Sequence, residues 1–197
     1  MKIVLFGPTG MIGSRIATEL TSRGHEVVGA SRSTGTDITD PAQVAAVVEG
    51  ADAVVCAVSA RTGDFTLSDV ARSLLDGLRR AGVRRLLIVG GAASLQVAGG
   101  GRLLDTPEFP DEWKPEATQG VEALEVYRAV DDLDWTYVSP AAFIHPGERT
   151  GGYRLGGEQL LTGESGNSEI SAEDYAIAIA DLIESGEHAR ERVGVAW

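Results

Sequence analysis

The chain carries a glycine-rich segment, G-P-T-G-M-I-G over residues 7–13, with the composition of a phosphate-binding turn. It follows an apolar, β-compatible run and precedes an amphipathic helical pattern, which is the strand–turn–helix order that a dinucleotide pyrophosphate needs. Without Cβ atoms, Gly7 and Gly10 let the backbone turn tightly and approach phosphate oxygens, and the helix start binds the anion through its N–H groups. Gly13 lets the helix pack close to the sheet. The predicted phosphate-binding residues are Gly7, Thr9, Gly10, Met11, Ile12 and Gly13.

The end of the second predicted strand indicates which dinucleotide binds. In NAD-binding domains this strand usually ends in an Asp or Glu that accepts hydrogen bonds from the ribose hydroxyls. Here the strand runs into Ser31, Arg32 and Ser33 instead. An arginine pairs bidentately with a 2′-phosphate and stacks on adenine, and the two serine hydroxyls add donors. The sequence therefore favours NADP(H) over NAD(H); the alternative is that Arg32 is a solvated loop arginine.

Strand-like and helix-like segments alternate along the whole chain, which indicates a parallel sheet covered on both faces. Asp40 and Pro41 predict the start of a short helix, and Gly82 predicts the end of another. Ser171 and Asp174 predict a capping box at the start of the last helix. The predicted strands span residues 2–6, 27–30, 53–58, 85–89, 135–139 and 192–196, and the predicted helices span residues 11–23, 41–49, 68–81, 115–131 and 171–184.

This alternation predicts a doubly wound α/β fold, an NAD(P)-binding Rossmann fold in a single domain over residues 1–197. Two stretches, residues 92–114 and 143–167, are rich in Gly and Pro and lack sustained periodicity. In a doubly wound sheet the ligand lies beyond the carboxyl ends of the strands, where such loops emerge. We therefore expect both stretches to line the substrate side of the site.

Composition and charge exclude several classes of protein. The formal net charge of −12 over 197 residues argues against general binding to nucleic acid, because such proteins need a basic face. A single cysteine, Cys56, is predicted to be buried, and three scattered histidines argue against a metal site. The sequence has neither a Gly-x-Ser-x-Gly elbow nor a Walker lysine. We expect a cytoplasmic monomer or homodimer whose partner is a small-molecule electron acceptor, not nucleic acid or a membrane.

Longer stretches of the chain resemble the atypical short-chain dehydrogenase/reductase family. More narrowly, the chain is similar to the small NAD(P)H-binding group described as NADH-flavin reductases, which is in turn similar to biliverdin reductase B-like and NmrA-like proteins. The matching stretches are GPTGMIG at 7–13, ASRS at 30–33, DITD at 37–40, VGGAASL at 89–95, WTYVSP at 135–140 and ISAEDYA at 170–176. The resemblance implies an NAD(P)H-dependent reductase. It also implies that Asp37 and Ile38 border the adenine and that Ala57 and Val58 line the backbone beside it.

The chain departs from this family at its usual proton-transfer pair. Short-chain dehydrogenases typically carry Tyr-x-x-x-Lys, in which the lysine lowers the tyrosine pKa so that the hydroxyl acts as acid or base. The only lysines are Lys2 and Lys114, and neither lies four residues after a tyrosine. This weakens a dehydrogenase or epimerase/dehydratase interpretation. It favours an acceptor such as a flavin or a quinone, for which placing the nicotinamide against the acceptor ring matters most.

Two residues are candidates for contact with the reacting groups. Ser94 follows the fourth predicted strand and offers a hydroxyl to a substrate carbonyl or to the nicotinamide; the alternative is a turn hydroxyl. His145 offers a proton donor near the site. Biliverdin reductase B-like proteins carry their histidine directly after the proline segment, where this chain has Ala141 and Ala142, so His145 does not inherit that role.

Several loop residues have two interpretations. The aromatic rings of Phe109, Trp113 and Phe143 either stack on a planar acceptor or cover the edge of the sheet. Arg149 either contacts an acidic group of the substrate or forms a surface salt bridge. The function has two interpretations as well: an NADPH-dependent reductase, or a redox sensor that binds NADP(H) without turnover and regulates a partner protein.

Overall fold

A mostly parallel sheet forms the centre of the computed structural model, which describes residues 1–60 and 65–197. Its strands are β1 (Lys2–Phe6), β2 (Glu26–Ala30), β3 (Ala53–Cys56), β4 (Arg85–Val89), β5 (Asp134–Pro140), β7 (Arg154–Gly156) and β9 (Glu191–Ala196). Their order is β2-β1-β3-β4-β5-β9-β7, and only the β7–β9 pair of these described strands is antiparallel. This topology confirms the predicted doubly wound α/β fold.

Helices cover both faces of this sheet. They are α1 (Met11–Ser22), α2 (Pro41–Val48), α3 (Leu67–Ala81), α4 (Lys114–Arg128) and α5 (Ala172–Ser185). α1 and α5 pack against each other on one face, and α2, α3 and α4 form the layer on the other. Each face has its own apolar core, because alternate residues of every strand point to opposite sides.

The helix boundaries follow the capping residues in most places. The Asp40 carboxylate accepts a hydrogen bond from the Ala42 N–H at 2.9 Å, and Gly82 closes α3 in the left-handed conformation with φ of 70°. α4 ends at Arg128, a turn earlier than predicted. Just beyond the helix end, the Val130 carbonyl accepts the Trp135 indole N–H at 3.0 Å, which ties this turn to β5.

Short strands replace part of the predicted irregular stretch over residues 143–167. β6 (Phe143–His145) pairs in parallel with β8 (Glu169–Ser171), and β7 adds an antiparallel edge to the main sheet. Three-residue strands are too short to show a period of two, so the sequence does not predict them. β3 is also shorter than predicted and ends at Cys56, which leaves Ala57 and Val58 just beyond its carboxyl end.

Two further predictions concern burial and membranes. Cys56 is buried as predicted, and burial raises the pKa of its thiol to about 11. Over residues 1–60 and 65–197, the helices are too short or too polar to cross a membrane.

Candidate functional site

Three strand ends meet at Gly7, the first glycine of the predicted phosphate-binding turn. Its N–H donates to the Ala30 carbonyl at the end of β2, at 3.1 Å. A Cβ atom on Gly7 would lie 2.6 Å from the Ala57 carbonyl oxygen after β3, and its φ of 80° is one that glycine adopts without strain. Gly7 therefore has to be glycine for both reasons, as the sequence predicts.

The other two glycines of the turn differ from each other. A Cβ on Gly13 would lie 2.0 Å from the Gly7 carbonyl oxygen, so α1 packs directly on the turn. Gly10 has an ordinary extended conformation (φ −69°, ψ 167°), and a Cβ there would lie 3.7 Å from the nearest atom, the Gly7 oxygen. The expectation that Gly10 is needed for the tight turn is therefore wrong. Its small size instead keeps the outer surface of the turn clear.

The N-terminus of α1 is open toward solvent at this point. Thr9, Gly10 and Met11 are exposed, and the N-cap residue, Gly10, has no side chain to accept a hydrogen bond from the first turn. The first-turn N–H groups of a helix lack partners within the helix, and the first turn here is uncharged. Backbone donors, the helix dipole and a tight turn whose outer surface carries no side chain at Gly10 together fit a dinucleotide pyrophosphate.

The segment after β2 is a short 3-10 turn over Arg32–Thr34. Ser31 is its N-cap, the hydroxyls of Ser31 and Ser33 lie 2.8 Å apart, and Thr34 Oγ1 accepts from the Ser31 N–H at 2.9 Å. The Arg32 side chain is exposed on this turn, at the position where NAD-binding domains carry an acid.

Asp37 and Ile38, which the family resemblance places beside the adenine, have different surroundings. The Asp37 carboxylate accepts from the Thr39 hydroxyl at 2.7 Å and from the Thr39 N–H at 2.9 Å, and these bonds hold the pKa of Asp37 below its usual range. This carboxylate therefore shapes its own loop. Ile38 is buried in the core beneath it.

Ala57 and Val58 begin the loop beyond β3, next to the first turn of α4. Ala57 donates its N–H to the Phe6 carbonyl at 2.9 Å, and both residues are half-buried. The Ser59 hydroxyl then donates to the Glu116 carboxylate at 2.5 Å. Beside this contact lies a cavity of about 320 Å³, lined by Ala60, Glu112, Trp113, Pro115, Glu116 and Gln119.

Ser94 lies in the loop after β4, and its hydroxyl contacts a residue of β9. Arg192 in β9 donates to Ser94 Oγ at 2.7 Å, and the Arg192 side chain is only 1% exposed. Arg192 also pairs with Glu158, which accepts from Arg128. Burial alone would raise the pKa of Glu158, but these two arginines hold it below its usual range. The Ser94 oxygen is thus an acceptor for Arg192, and its hydroxyl proton remains available for donation.

The same network joins the two predicted substrate loops. The Gln96 N–H donates to the Glu158 carbonyl at 2.8 Å, and the Leu160 N–H donates to the Gln96 carbonyl at the same distance. The side chains of Gln96 and Gln159 add a hydrogen bond of 2.7 Å. The two loops are therefore joined beside the Arg192–Glu158 pair, through which Arg192 contacts Ser94.

His145 lies in β6, on the other face of the sheet, beside the N-terminus of α5. Its Nδ1 is 3.0 Å from the Pro146 carbonyl, which makes Nδ1 the protonated nitrogen and leaves Nε2 as an acceptor in the neutral ring. Arg192 and Ser94 lie on the face covered by α4, since Arg192 pairs across the sheet with Tyr137, a residue of that core. The two candidate catalytic residues therefore belong to opposite faces.

Arg149 forms the surface salt bridge that was one of its two interpretations. Its guanidinium donates two hydrogen bonds of 2.9 Å to Glu19 in α1. Among the aromatic candidates, Phe109 is half-buried, whereas Trp113 and Phe143 are exposed.

The four tyrosines of the chain all lie in the described residues and are all engaged in packing or hydrogen bonds. Tyr137 donates to the Gly120 carbonyl at 3.1 Å and Tyr175 to the Val138 carbonyl at 2.6 Å, while Tyr153 donates to Asp181. Tyr127 is buried in the core. Burial raises the pKa of Tyr137 to about 12 and raises the pKa values of the other three well above their ordinary range.

Side chains that bind metals do not cluster in the part of the chain that the structure describes: no group of three or more His, Cys, Asp or Glu is placed to hold an ion. The strand order, the glycine cradle and the open helix N-terminus instead define a dinucleotide-binding Rossmann protein.

Comparison with known proteins identifies the family. A family model described as NAD(P)H-binding matches residues 7–186. The uncharacterized protein YwnB of Bacillus subtilis is 41% identical over 208 aligned residues, which cover 99% of this chain and 98% of the relative. The chain belongs to the NAD(P)H-binding family, as its resemblance to atypical short-chain reductases predicts.

Solved structures agree with this assignment. A Burkholderia pseudomallei protein provisionally named as exported is 45% identical, with complete coverage of both chains and a TM-score of 0.91. A Streptococcus pneumoniae protein provisionally named an NADH-flavin reductase is 35% identical, with 100% and 99% coverage and a TM-score of 0.85. A Bacteroides thetaiotaomicron protein provisionally named an epimerase is 34% identical, with 100% and 96% coverage and a TM-score of 0.90.

Proposed function

We propose that the protein is an NADPH-dependent reductase that passes a hydride to a small planar acceptor such as a flavin or a quinone. The observation that carries the proposal is that all four tyrosines are engaged within the protein: three hydroxyls donate hydrogen bonds, and Tyr127 is buried in the core. A carbonyl reductase or an epimerase needs a group with a pKa matched to proton transfer. Reduction of a flavin or a quinone requires chiefly that the acceptor ring is held against the nicotinamide at short range.

The cofactor half of the proposal depends on two groups of residues. The turn over residues 7–13 holds the pyrophosphate through the first-turn N–H groups of α1. Arg32, beside the hydroxyls of Ser31 and Ser33, pairs with the 2′-phosphate that distinguishes NADPH from NADH. Ala57 and Val58 follow the end of β3 and Ile38 lies shortly before α2, and we assign these three residues to the adenine side, as the family resemblance implies.

The reaction requires little chemistry from the side chains. When bound, NADPH supplies a hydride, and the acceptor takes this hydride together with one proton from water, which leaves NADP⁺ and a two-electron-reduced acceptor. The protein orients the rings and excludes competing geometries. We assign to the Ser94 hydroxyl a hydrogen bond, donated without transfer of its proton, to a carbonyl of the acceptor or of the nicotinamide. Because Arg192 fixes the Ser94 oxygen at 2.7 Å, the hydroxyl has few orientations left.

A second candidate function is supported by the same tyrosine observation. A redox sensor binds the nucleotide without turnover and needs no proton-transfer group at all. In either function we propose a cytoplasmic protein, monomeric or homodimeric, because a single buried thiol suits a reducing compartment.

Steady-state oxidation of NADPH separates the two functions. The reductase predicts turnover with riboflavin, FMN or a small quinone, measured as loss of NADPH absorbance.

Ser94→Ala removes one neutral hydrogen bond of about 0.5–1.5 kcal/mol, so the rate should fall several-fold to about tenfold. The four single Tyr→Phe variants should stay within the same range. A loss of about a hundredfold or more in a tyrosine variant or in His145→Ala would indicate a proton donor and contradict the positioning mechanism. Tight NADPH binding without turnover of any acceptor would exclude the reductase and support the redox sensor.

Arg32→Ala tests the choice of nucleotide. A charge-assisted bidentate contact contributes on the order of 1.5–3 kcal/mol, so the NADPH dissociation constant should rise roughly tenfold or more while that of NADH changes little. Ser33→Ala serves as the control, since it removes a neighbouring hydroxyl and keeps the charge. Equal losses for NADPH and NADH in Arg32→Ala would contradict recognition of the 2′-phosphate by this residue.

A further inference from the structure

An exposed aromatic cluster, formed by Phe143, His145 and Trp197, lies at the carboxyl edge of the sheet. The Phe143 side chain is 52% exposed and the Trp197 side chain 37% exposed. The ring centroids of Phe143 and His145 lie 4.9 Å apart with a tilt of 32°, and those of His145 and Trp197 lie 6.0 Å apart, edge to face. Contiguous exposed apolar surface is a feature of ligand-binding and interaction sites, whereas apolar residues exposed singly are ordinary.

Hydrogen bonds hold the cluster in one arrangement before any ligand arrives. The Trp197 indole N–H donates to Asp174 at 2.7 Å, and the Trp197 backbone N–H donates to the Glu169 carbonyl at 3.1 Å. The Phe143 N–H donates to the Ser168 carbonyl at 3.0 Å, and His145 is held by its contact with the Pro146 carbonyl. Rings fixed in this way lose little conformational entropy when a ligand binds.

The cluster lies beside the nicotinamide half of the predicted cofactor site. Phe143 comes three residues after the end of β5, and the β4–β5 edge belongs to the second mononucleotide half of a doubly wound sheet. Hydrogen bonds connect the loop after His145 to the start of α1. The Gly147 N–H donates to Glu173 at 2.7 Å, Glu173 accepts from Arg15 at 2.5 Å, and Arg15 donates to the Met11 carbonyl at the start of α1.

We propose that the aromatic cluster is the stacking surface for the acceptor, an uncharged fused heteroaromatic ring of the isoalloxazine kind. This inference rests on the proposed reductase function and names the acceptor's contact residues. Flat aromatic side chains bind such rings through stacking and edge contacts, which need a π-face rather than a charge on the ligand. The His145 Nε2 acceptor lies within the same surface and can receive a ring N–H.

A second copy of this chain fits the surface less well. Stable dimers bury about 800 Å² per partner, which is more than three part-exposed rings supply. A net charge of −12 on each copy also opposes self-association. A flat small molecule needs only the rings themselves.

Binding of riboflavin in the presence of NADP⁺ tests the proposal, because this mixture does not turn over. Riboflavin fluorescence should be quenched on binding. Phe143→Ala and Trp197→Ala should each raise the riboflavin dissociation constant about tenfold. The NADP⁺ dissociation constant should stay within about twofold of wild type. Trp113→Ala is the matched control, since Trp113 is also exposed but lines the cavity beside α4, and it should leave riboflavin binding unchanged.

Three outcomes would overturn the proposal. Weakened riboflavin binding in Trp113→Ala alone would place the acceptor in the α4 cavity. Sedimentation of the wild type as a dimer that Phe143→Ala or Trp197→Ala dissociates would assign the cluster to a second copy. Unchanged riboflavin binding in both cluster variants would exclude stacking there. Failure of the reductase function would give a different result, in which riboflavin binds the wild type but NADPH is not oxidised.

Discussion

The N-termini of α1 and α5 lie on the same face and at the same edge of the sheet, yet only one of them is open. α1 begins with an exposed Gly10 and an uncharged first turn. α5 begins with Ser171, whose Oγ accepts the Asp174 N–H at 3.0 Å, and its first turn carries Glu173 and Asp174. A helix N-terminus binds an external anion only where the chain has not already supplied its own acceptors and negative charge.

The two termini are connected, so that the closed one positions loops around the open one. Asp174 is fully buried and accepts from the Thr150 hydroxyl at 2.5 Å, the Gly151 N–H at 2.9 Å and the Trp197 indole. Glu173 joins α5 to Arg15 of α1. The acids of α5 therefore organise the protein's own loops, whereas the first turn of α1 carries no acidic residue and no side-chain cap.

Gly10→Val should block the open N-terminus of α1, and its effect on NADPH binding should be the largest of this series. A branched side chain fills the space in front of the first-turn N–H groups, so NADPH binding should weaken about a hundredfold or more. The fold should persist, because a Cβ on Gly10 meets nothing closer than 3.7 Å. Calorimetric titration measures the dissociation constant, and Gly157→Val is the control at an equally open position. Wild-type affinity in Gly10→Val would show that the phosphates bind elsewhere.

Asp174→Asn should destabilise the protein at the N-terminus of α5 and leave its affinity for NADPH unchanged. Hydrogen bonds to a buried charged group contribute about 1.5–3 kcal/mol, so the free energy of unfolding should fall by about that amount at pH 7. Urea unfolding gives this quantity, and the NADPH dissociation constant should stay within about twofold of wild type. A large loss of NADPH affinity would mean that α5, too, contributes to the phosphate site.

The same residue predicts a pH dependence. Burial would raise the pKa of Asp174, but hydrogen bonds from Thr150, Trp197 and Gly151 hold it below its usual range. A lowered pKa in the folded state stabilises the protein above the unfolded-state value of about 3.9, and this stabilisation is lost as the pH falls through the folded-state pKa. The stability difference between wild type and Asp174→Asn should therefore shrink below about pH 4. A difference that stays constant down to about pH 2 would contradict the assignment.

Ser171→Ala should have the smallest effect of the series. It removes two hydrogen bonds, the one that Ser171 Oγ accepts from the Asp174 N–H and the one that it donates to the Glu148 carbonyl at 2.8 Å, which together contribute about 1–2 kcal/mol to stability. Urea unfolding should detect this loss, and NADPH binding should be unchanged because the N-terminus of α5 already has its own cap and two acidic residues. Weaker NADPH binding in this variant would remove the distinction between the two helix termini.

The sequence predicts the fold and the nucleotide cradle because both depend on local patterns. β1 and β4 match their predicted bounds because each is a continuous apolar run bounded by glycine or charge. The close contact of Gly13 with Gly7 spans only six residues. Residue types at fixed spacing are sufficient for such features.

Contacts between distant segments could not be predicted in the same way. The sequence predicts a capping box at Ser171 and Asp174, and half of it forms; the Asp174 carboxylate instead accepts from Trp197, 23 residues away. His145 and Trp197 are 52 positions apart, and they meet because β6 pairs with β8 and the Trp197 N–H donates to the Glu169 carbonyl in β8. Ser94 likewise meets Arg192 only through the packing of β9 beside β5.

An anaerobic single-turnover experiment tests the central claim most directly. The protein is mixed with NADPH carrying deuterium at the transferred position of C4 and with riboflavin, and flavin reduction is followed by the loss of flavin absorbance. We predict one flavin reduced per NADPH oxidised, at a rate slowed by deuterium, and no enhancement over the uncatalysed reaction in Gly10→Val. Full NADPH binding with no flavin reduction in the wild type would contradict the reductase and leave a nucleotide-binding sensor.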